Sequence, residues 1–206
     1  LVEALELEKL SGTVHHQGVV AMVTARIPLA ISDAVFARWA QDGSRIVVLD
    51  RVGDDHNLGS IARSAAFFGW HALVLPDEDG AARLSTAAYR VARGALERIA
   101  VYAYPGAAAF ARRCGKAILA LGADHRASMD LDALCSSWSL QGQAEGARRA
   151  IALFLGNEES GLSQDTRQNC SQLVSIRGAG EVESLNVSQA AAVFFHALAP
   201  EHKAAR

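Results

Sequence analysis

Six short apolar runs, separated by helix-like stretches, constrain the fold of this chain more than any other feature. The runs are Ile46–Leu49, Ala72–Leu75, Ile99–Tyr102, Ala117–Leu121, Ile151–Leu155 and Leu173–Ile176. Continuous apolar strands that alternate with helices are typical of a parallel sheet covered by helices on both faces. The sequence therefore predicts an α/β, Rossmann-like doubly wound domain, whose ligands should bind at the carboxyl ends of its strands.

Composition narrows the class of protein. Of the 206 residues, 50% are hydrophobic and 20% are charged, an ordinary balance for a globular domain. No apolar run approaches the roughly 18–20 residues that span a bilayer, and no signal-peptide pattern opens the chain. Three widely spaced cysteines fit neither a disulfide framework nor a zinc site. We therefore expect a cytoplasmic protein with no membrane segment. We also expect no metal site, because His15 and His16 are adjacent and no cluster of other candidate ligands accompanies them. The net charge of −2 neither predicts nor excludes nucleic-acid binding.

The segment after the first apolar run contains Asn57, Gly59 and Arg63. Asn57 is a suitable N-cap for a helix that runs to Phe68, with Gly69 as its left-handed stop. Gly59 and Arg63 are one turn apart, and a glycine there would leave space beside the guanidinium or permit the close approach of another group. The same residues also fit an ordinary capped helix with a solvated arginine.

Two later segments also follow apolar runs. Gly156 to Ser163 has two glycines that allow a sharp turn, a carboxylate at Glu158, and Ser163 as a cap for the next helix. Ile176 to Ser188 leads into an amphipathic helix that Pro200 ends. The stretch 136–148, rich in Ser, Gln and Gly, predicts a mobile loop.

Taken in order, the three segments resemble the motifs of the SpoU/TrmH family of the SPOUT methyltransferase superfamily. The motif N-x-G-x-x-x-R matches Asn57, Gly59 and Arg63, and the motif G-x-E-x-x-G-L matches Gly156 to Leu162. The third motif, S-L-N-V-S, matches Ser184 to Ser188. The resemblance covers roughly residues 45–199, and His16-Gln17-Gly18 is similar to the linker of members that carry an upstream RNA-binding domain. We expect residues 1–41 to be such a linker or tail and residues 42–206 to be the catalytic domain.

The resemblance implies a domain with a C-terminal deep trefoil knot, an exception to the rule against threaded chains. It also implies S-adenosylmethionine-dependent methylation of a ribose 2′-hydroxyl in tRNA or rRNA by a homodimer. The cofactor would be held mainly by backbone groups, at the matching positions Gly122, Leu155, Gly156, Ile176, Ser184 and Leu185. Arg63 and Asn57 would face a cofactor bound by the partner subunit, while Glu158 and Asn186 would shape the loops and the nucleotide pocket.

The family's motif arginine, here Arg63, is credited with activating the hydroxyl. Since a guanidinium is a poor base, we expect Arg63 to bind the adjacent phosphate and to stabilise the developing alkoxide. The chain departs from the family at Ile176-Arg177-Gly178, where many members have Ile-Pro-Met. This change leaves the RNA subgroup open, and Arg177 is either a phosphate contact or a solvated side chain.

Two other functions fit parts of the sequence. A silent paralogue would keep the fold and bind RNA without turnover. A nucleotide-dependent oxidoreductase would use Gly178-Ala179-Gly180, but Glu183 stands where the dinucleotide fingerprint has its third glycine. The chain also ends before the acidic residue that holds the ribose, about 20 positions on.

Overall fold

The computed structural model describes residues 2–14, 16–22, 24, 26–140 and 149–200. Within these residues, seven strands form one sheet with all neighbours parallel, in the order β1-β4-β3-β2-β6-β5-β7. The strands are β1 (Leu29–Ala30), β2 (Arg45–Asp50), β3 (Ala72–Pro76), β4 (Ala100–Tyr104), β5 (Leu119–Ala123), β6 (Ile151–Gly156) and β7 (Gln172–Val174). The parallel α/β prediction is confirmed, and every predicted run contributes a strand.

Helices connect most of these strands. They are α1 (Ala4–Ser11), α2 (Asp33–Asp42), α3 (Asp55–Phe67), α4 (Thr86–Ala92), α5 (Ala107–Cys114), α6 (Leu131–Leu140), α7 (Gln164–Asn169) and α8 (Val187–Ala197). The prediction of a loop over 136–148 is wrong for its first part, because α6 continues to residue 140. Residues 141–148 lie outside the described residues.

The alternation of buried side chains along β2 explains the layered core. Val47 and Leu49 point to one face, where α3, α4, α6 and α8 cover the sheet. Ile46 and Val48 point to the other face, where they meet Trp39 of α2 and the side chains of α5. Because both faces are covered, β2 and β6 read as unbroken apolar runs in the sequence.

Helix α3 begins earlier than the sequence analysis predicts. Asp54, not Asn57, is the N-cap, and its carboxylate accepts the backbone N–H of His56 at 2.8 Å. Asn57 therefore lies inside the first turn, where its side chain is available for other contacts. The predicted left-handed glycine is confirmed, since Gly69 has φ +76°. The buried face is confirmed for Leu58, Ile61 and Ala65, while Phe68 is only half-buried.

Gly59 has the second of the two roles that the sequence suggested, the close approach of another group. A Cβ atom there would lie 2.5 Å from the carbonyl oxygen of Ala88 and 2.9 Å from the Cβ of Val91, both in α4. The group that approaches Gly59 is thus a neighbouring helix, and the space beside Arg63 is not what the glycine provides.

A buried arginine, Arg45, lies at the amino-terminal end of the central strand β2 and binds the end of α8. The guanidinium of Arg45 donates to the carbonyl of Leu198, 153 residues away, and to those of Gly43 and Arg149, each at 2.8 Å. Burial lowers the pKa of Arg45 to about 10. These bonds hold the end of α8 beneath β2 and so fix the segment that leads into α8.

The described contacts between strands give the order of the strands in the sheet. The trefoil knot implied by the family resemblance stays a prediction.

Candidate active site

Three side chains from separate segments meet at the carboxyl ends of β2 and β6. Asn57 of α3 donates its Nδ2–H to Glu158 Oε1 at 2.8 Å, and accepts on Oδ1 from Asn186 Nδ2 at 3.2 Å. Asn186 is also the N-cap of α8, with its Oδ1 accepting the backbone N–H of Ser188 at 2.8 Å. One continuous chain of hydrogen bonds therefore joins all three sequence motifs.

The loop that carries Glu158 is held in a closed turn. The backbone of Asn157 exchanges two hydrogen bonds with Gly161, at 3.1 and 2.9 Å. A Cβ atom on Gly156 would lie 2.2 Å from the backbone of Gly161 and Leu162, so only glycine fits this position. The loop leads into α7, whose N-cap is Ser163 as predicted. The turn thus presents Glu158 in a defined orientation.

Donors surround the Glu158 carboxylate. Besides Asn57, the backbone N–H of Gly53 and the Nδ2–H of Asn157 reach its Oε2 at 3.4 and 3.3 Å. These three donors hold the carboxylate in one orientation. Nearby, the N-cap carboxyl of Asp54 has a pKa below its usual value, chiefly because the backbone N–H of His56 donates to it. The rim at the ends of β2 and β6 is therefore acidic.

Arg63 lies outside this network. It is exposed on α3, about 9 Å further along the helix axis than Asn57. Its side chain makes no hydrogen bond or ion pair with any residue in the described ranges. Of the two residues predicted to face the partner's cofactor, Asn57 is thus engaged within its own chain, whereas the guanidinium of Arg63 is available to another molecule.

The positions predicted to bind the cofactor come from adjacent strands. Gly122 is the second-to-last residue of β5, Leu155 and Gly156 end β6, and Ile176 follows β7 by two residues. In the sheet these strands lie side by side, so their carboxyl ends form one edge. Ser184 and Leu185 belong to the exposed connection between β7 and α8.

Gly122 is also required for packing. A Cβ atom there would lie 2.6 Å from Leu173 Cδ2, 2.9 Å from Leu162 Cδ1 and 3.1 Å from Cys170 Sγ. Burial, and after it the charge of Asp50, raises the pKa of Cys170 to about 12. This thiol therefore stays protonated and acts as a packing group beneath the end of β5.

The connection from Ile176 to Leu185 is suited to a ligand held by backbone groups. Among the described residues, its N–H and C=O groups make no hydrogen bonds, and Leu185 is 49% exposed. The connection lies against the loop after β5, with His125 Nε2 at 3.5 Å from Glu183 Oε1. Unpaired amides and carbonyls beside an exposed leucine fit an adenosine-containing cofactor, which offers both polar edges and an apolar ring.

Two acidic residues near this edge were missed by the sequence analysis. Asp50, the fully buried last residue of β2, accepts the backbone N–H of Ser163 on Oδ2 at 2.7 Å and so anchors the Glu158 loop. Asp130 accepts the N–H of Ala133 at 2.8 Å and pairs with Arg177. In the sequence, Asp50 could have been recognised as an acidic residue at the end of an apolar run. Nothing in the sequence indicated a role for Asp130. The Arg177 side chain is still 74% exposed, so it is a solvated arginine that also forms an ion pair with Asp130.

A comparison with known families identifies the chain. The SpoU rRNA Methylase family matches residues 44–196, which is most of the chain and contains all three motifs. The chain belongs to the SpoU family. This membership confirms the family predicted from the motifs and removes the basis for the oxidoreductase interpretation of Gly178 to Gly180.

SpoU relatives resemble nearly the whole sequence. The 23S rRNA (guanosine-2′-O-)-methyltransferase RlmB of Nitrosomonas europaea is 35% identical over 94% of this chain and 70% of its own length. An uncharacterized tRNA/rRNA methyltransferase of Mycobacterium avium is 32% identical over 93% of this chain and 59% of its own length. The chain therefore spans between about three-fifths and seven-tenths of these two relatives.

Solved SpoU structures share the fold. AviRb of Streptomyces viridochromogenes, in complex with the cofactor AdoMet, has a TM-score of 0.63 and 26% identity over 80% of this chain and 60% of its own. The AdoMet-bound rRNA methyltransferase of Sinorhizobium meliloti has a TM-score of 0.65 and 25% identity, over 77% and 57% respectively. Both neighbours hold the cofactor that the motifs predict.

The described part of the chain contains no cluster of His, Cys, Asp or Glu side chains that could hold a metal ion. None of its helices has the length and apolar character needed to cross a bilayer. His15 lies outside the described residues.

Proposed function

We propose that this SpoU-family protein transfers a methyl group from S-adenosylmethionine to a ribose 2′-hydroxyl of tRNA or rRNA. The observation that carries the proposal is the hydrogen-bonded chain Glu158–Asn57–Asn186, which joins the three family motifs at one edge of the sheet. The family match over residues 44–196 and the AdoMet-bound neighbours support the cofactor.

The cofactor contacts are assigned to the edge formed by β5, β6 and β7. Gly122, Leu155, Gly156 and Ile176 would offer backbone groups, and the connection at Ser184 and Leu185 would cover the ligand. When bound, S-adenosylmethionine supplies a methyl group already activated by its sulfonium. The residues of this chain therefore need only orient the ribose and assist the loss of its proton.

Each polar residue of the site then has a defined role. Arg63 is the catalytic residue: its guanidinium would bind the phosphate beside the target ribose and stabilise the forming alkoxide. A guanidinium holds its proton too strongly to be a general base, so the hydroxyl proton passes to another acceptor. Asn57, Glu158 and Asn186 are positioning residues, because their side chains bind one another.

We infer that the active site is completed in a homodimer. The support is that Arg63 is exposed, unpaired among the described residues and distant from the hydrogen-bonded chain of its own subunit. A second copy of the chain would bring its cofactor edge to this arginine. We also propose that the protein acts in the cytoplasm, where the RNA it methylates is found.

We propose that the catalytic domain begins before Leu29, earlier than the boundary at residue 42 that the sequence analysis expects. The support is that strand β1 pairs with β4 and that Trp39 of α2 is buried among the core residues of one face. The linker or tail would then be shorter than the expected 1–41 and would contain α1. The family match from residue 44 supports a catalytic domain over the rest of the chain.

The test is a methyl-transfer assay with the full chain, tritiated S-adenosylmethionine and total bacterial RNA, followed by mapping of the label. We expect the label on ribose 2′-oxygens. The Arg63→Ala variant should lose transfer and keep the wild-type affinity for S-adenosylmethionine in calorimetry. Label on bases, DNA or protein would overturn the reaction class. Cofactor binding without transfer to any RNA would favour the silent paralogue.

A further inference from the structure

Helix α4 carries two exposed arginines that the proposed mechanism does not use. Arg90 and Arg93 lie on the exposed side of the helix, in line with Thr86. The opposite side buries Ala88 and Ala92 against the sheet. The arginine side chains therefore point away from the core.

Helices α3 and α4 lie side by side and run in the same direction. Asp55, at the start of α3, accepts the backbone N–H of Arg83, just before α4, at 2.9 Å. Further along, Gly59 touches Ala88 and Val91. The last turns of both helices consequently lie at the same end, which places Arg90 and Arg93 beside the turn that carries Arg63.

Charge is concentrated at this end of the two helices. Residues 90–98 contain three arginines and one acid, Glu97, although the whole chain has a net charge of −2. The side chains of Arg63, Arg90 and Arg93 make no ion pair or hydrogen bond with residues of the described ranges. In contrast, Arg113, Arg167 and Arg177 are each paired with a carboxylate.

The backbone of Arg93 provides an independent observation. Arg93 caps α4 in the left-handed conformation, with φ +51°, and its N–H donates to the carbonyl of Tyr89. Glycine adopts this conformation without strain, whereas a residue with a Cβ does not. Strained residues of this kind cluster where a side chain is needed for function.

We propose that Arg90 and Arg93 form a docking surface for the sugar-phosphate backbone of the substrate RNA, continuous with Arg63. Guanidinium groups bind phosphate oxygens in a bidentate manner, and such contacts set the position of an RNA without reading its sequence. The strand that delivers its ribose to the site at Arg63 would continue across the end of α4. This inference rests on the proposed RNA substrate, and it adds the position of the RNA backbone on the protein surface.

The test uses the full chain and a fluorescein-labelled 20-nucleotide oligouridylate, because phosphate contacts do not depend on sequence. Anisotropy titrations between 50 and 200 mM KCl compare the wild type with an Arg90→Gln/Arg93→Gly double variant. Each phosphate contact to a single strand contributes about 0.7 to the slope of log K against log salt, so we expect the slope to fall by about 1.4. Binding at 50 mM KCl should weaken roughly tenfold.

Two controls separate docking from folding. Arg38 and Arg112 are exposed on α2 and α5, over the opposite face of the sheet, and their double Gln variant should bind RNA like the wild type. Arg93→Gly alone should melt at or above the wild-type temperature, since it relieves the left-handed strain, and should still weaken RNA binding. A salt slope unchanged in the α4 variant, or reduced equally in the Arg38/Arg112 control, would overturn the proposal.

Failure of the proposed docking surface can be distinguished from failure of the proposed methyl-transfer function. If the oligouridylate binds through the α4 arginines but total RNA accepts no methyl group, the docking surface stands and the enzymatic proposal falls. If methyl transfer is intact in the α4 variant, with unchanged KM for RNA, the docking surface falls and the enzymatic proposal stands.

Discussion

At the scale of single residues, the site joins the buried Asn57 and Asp50 by hydrogen bonds to groups on exposed loops, including Glu158. Glu158 receives donors from Asn57, Gly53 and Asn157, and Asp50 receives the backbone N–H of Ser163. Removing one member would leave its partner unpaired, which typically costs about 1–3 kcal/mol at a buried position. These side chains hold the loops, and in the proposed mechanism the exposed Arg63 is the catalytic residue.

Asp130 gives a prediction about pH. Its pKa is held below the usual value chiefly by the N–H of Ala133 and further by Arg177, against the opposing effect of desolvation. Because the folded pKa is lower than the unfolded value of about 3.9, the ionised carboxylate stabilises the fold above that pH. The stabilisation is lost as pH falls through the folded pKa.

We therefore expect Asp130→Asn to melt at a lower temperature than the wild type at pH 6, with the difference shrinking as the pH falls below about 4. Thermal unfolding followed by circular dichroism at both pH values checks this. The exposed Asp79, whose side chain makes no hydrogen bond or ion pair with other described residues, supplies the control variant Asp79→Asn. A difference from the wild type that stays constant with pH would contradict the assigned role.

At the scale of elements, the contact between α3 and α4 determines where the motif residues point. Gly59 is the position of closest approach, because its missing side chain lets the backbone of α4 come within contact distance. Asp54 sets the start of α3 and thereby places Asn57 one turn inside the helix, facing Glu158. The spacing of the first motif thus reflects helix packing as well as chemistry.

Gly59→Ala should destabilise the protein although alanine favours helices. The added Cβ would meet a backbone carbonyl oxygen at 2.5 Å, and such overpacking typically costs about 1–3 kcal/mol. We expect a lower free energy of unfolding in urea and a weaker RNA affinity, since α4 carries the docking arginines. Ser60→Ala, at the neighbouring half-buried position, should change neither quantity noticeably. A Gly59→Ala variant as stable as the wild type would show that α4 can shift freely.

At the scale of the whole molecule, the proposed homodimer predicts that two inactive variants can complement each other. Arg63→Ala lacks the catalytic guanidinium, and Leu185→Asp places a charge in the segment that would cover the cofactor. In a mixed dimer, one of the two sites would combine an intact Arg63 with an intact cofactor edge. Random mixing makes half of the dimers mixed, so about a quarter of wild-type activity should return.

The measurement is the rate of methyl transfer after the two purified variants have exchanged subunits, with exchange verified by co-purification of differently tagged chains. Each variant alone should be inactive, and Leu185→Asp should fail to bind S-adenosylmethionine in calorimetry. Mixed dimers that form and show no transfer would mean that each site is complete within one subunit.

The sequence by itself determined the parallel α/β class, strands β2 to β7 and the three motifs, because continuous apolar runs and strand-end glycines are local patterns with few structural solutions. It also predicted the caps at Gly69 and Ser163. Only the tertiary structure decided that Asp54 caps α3, that Gly59 accommodates α4, and that Arg177 pairs with Asp130. Those features depend on residues distant in sequence, whose proximity is set by packing across the sheet.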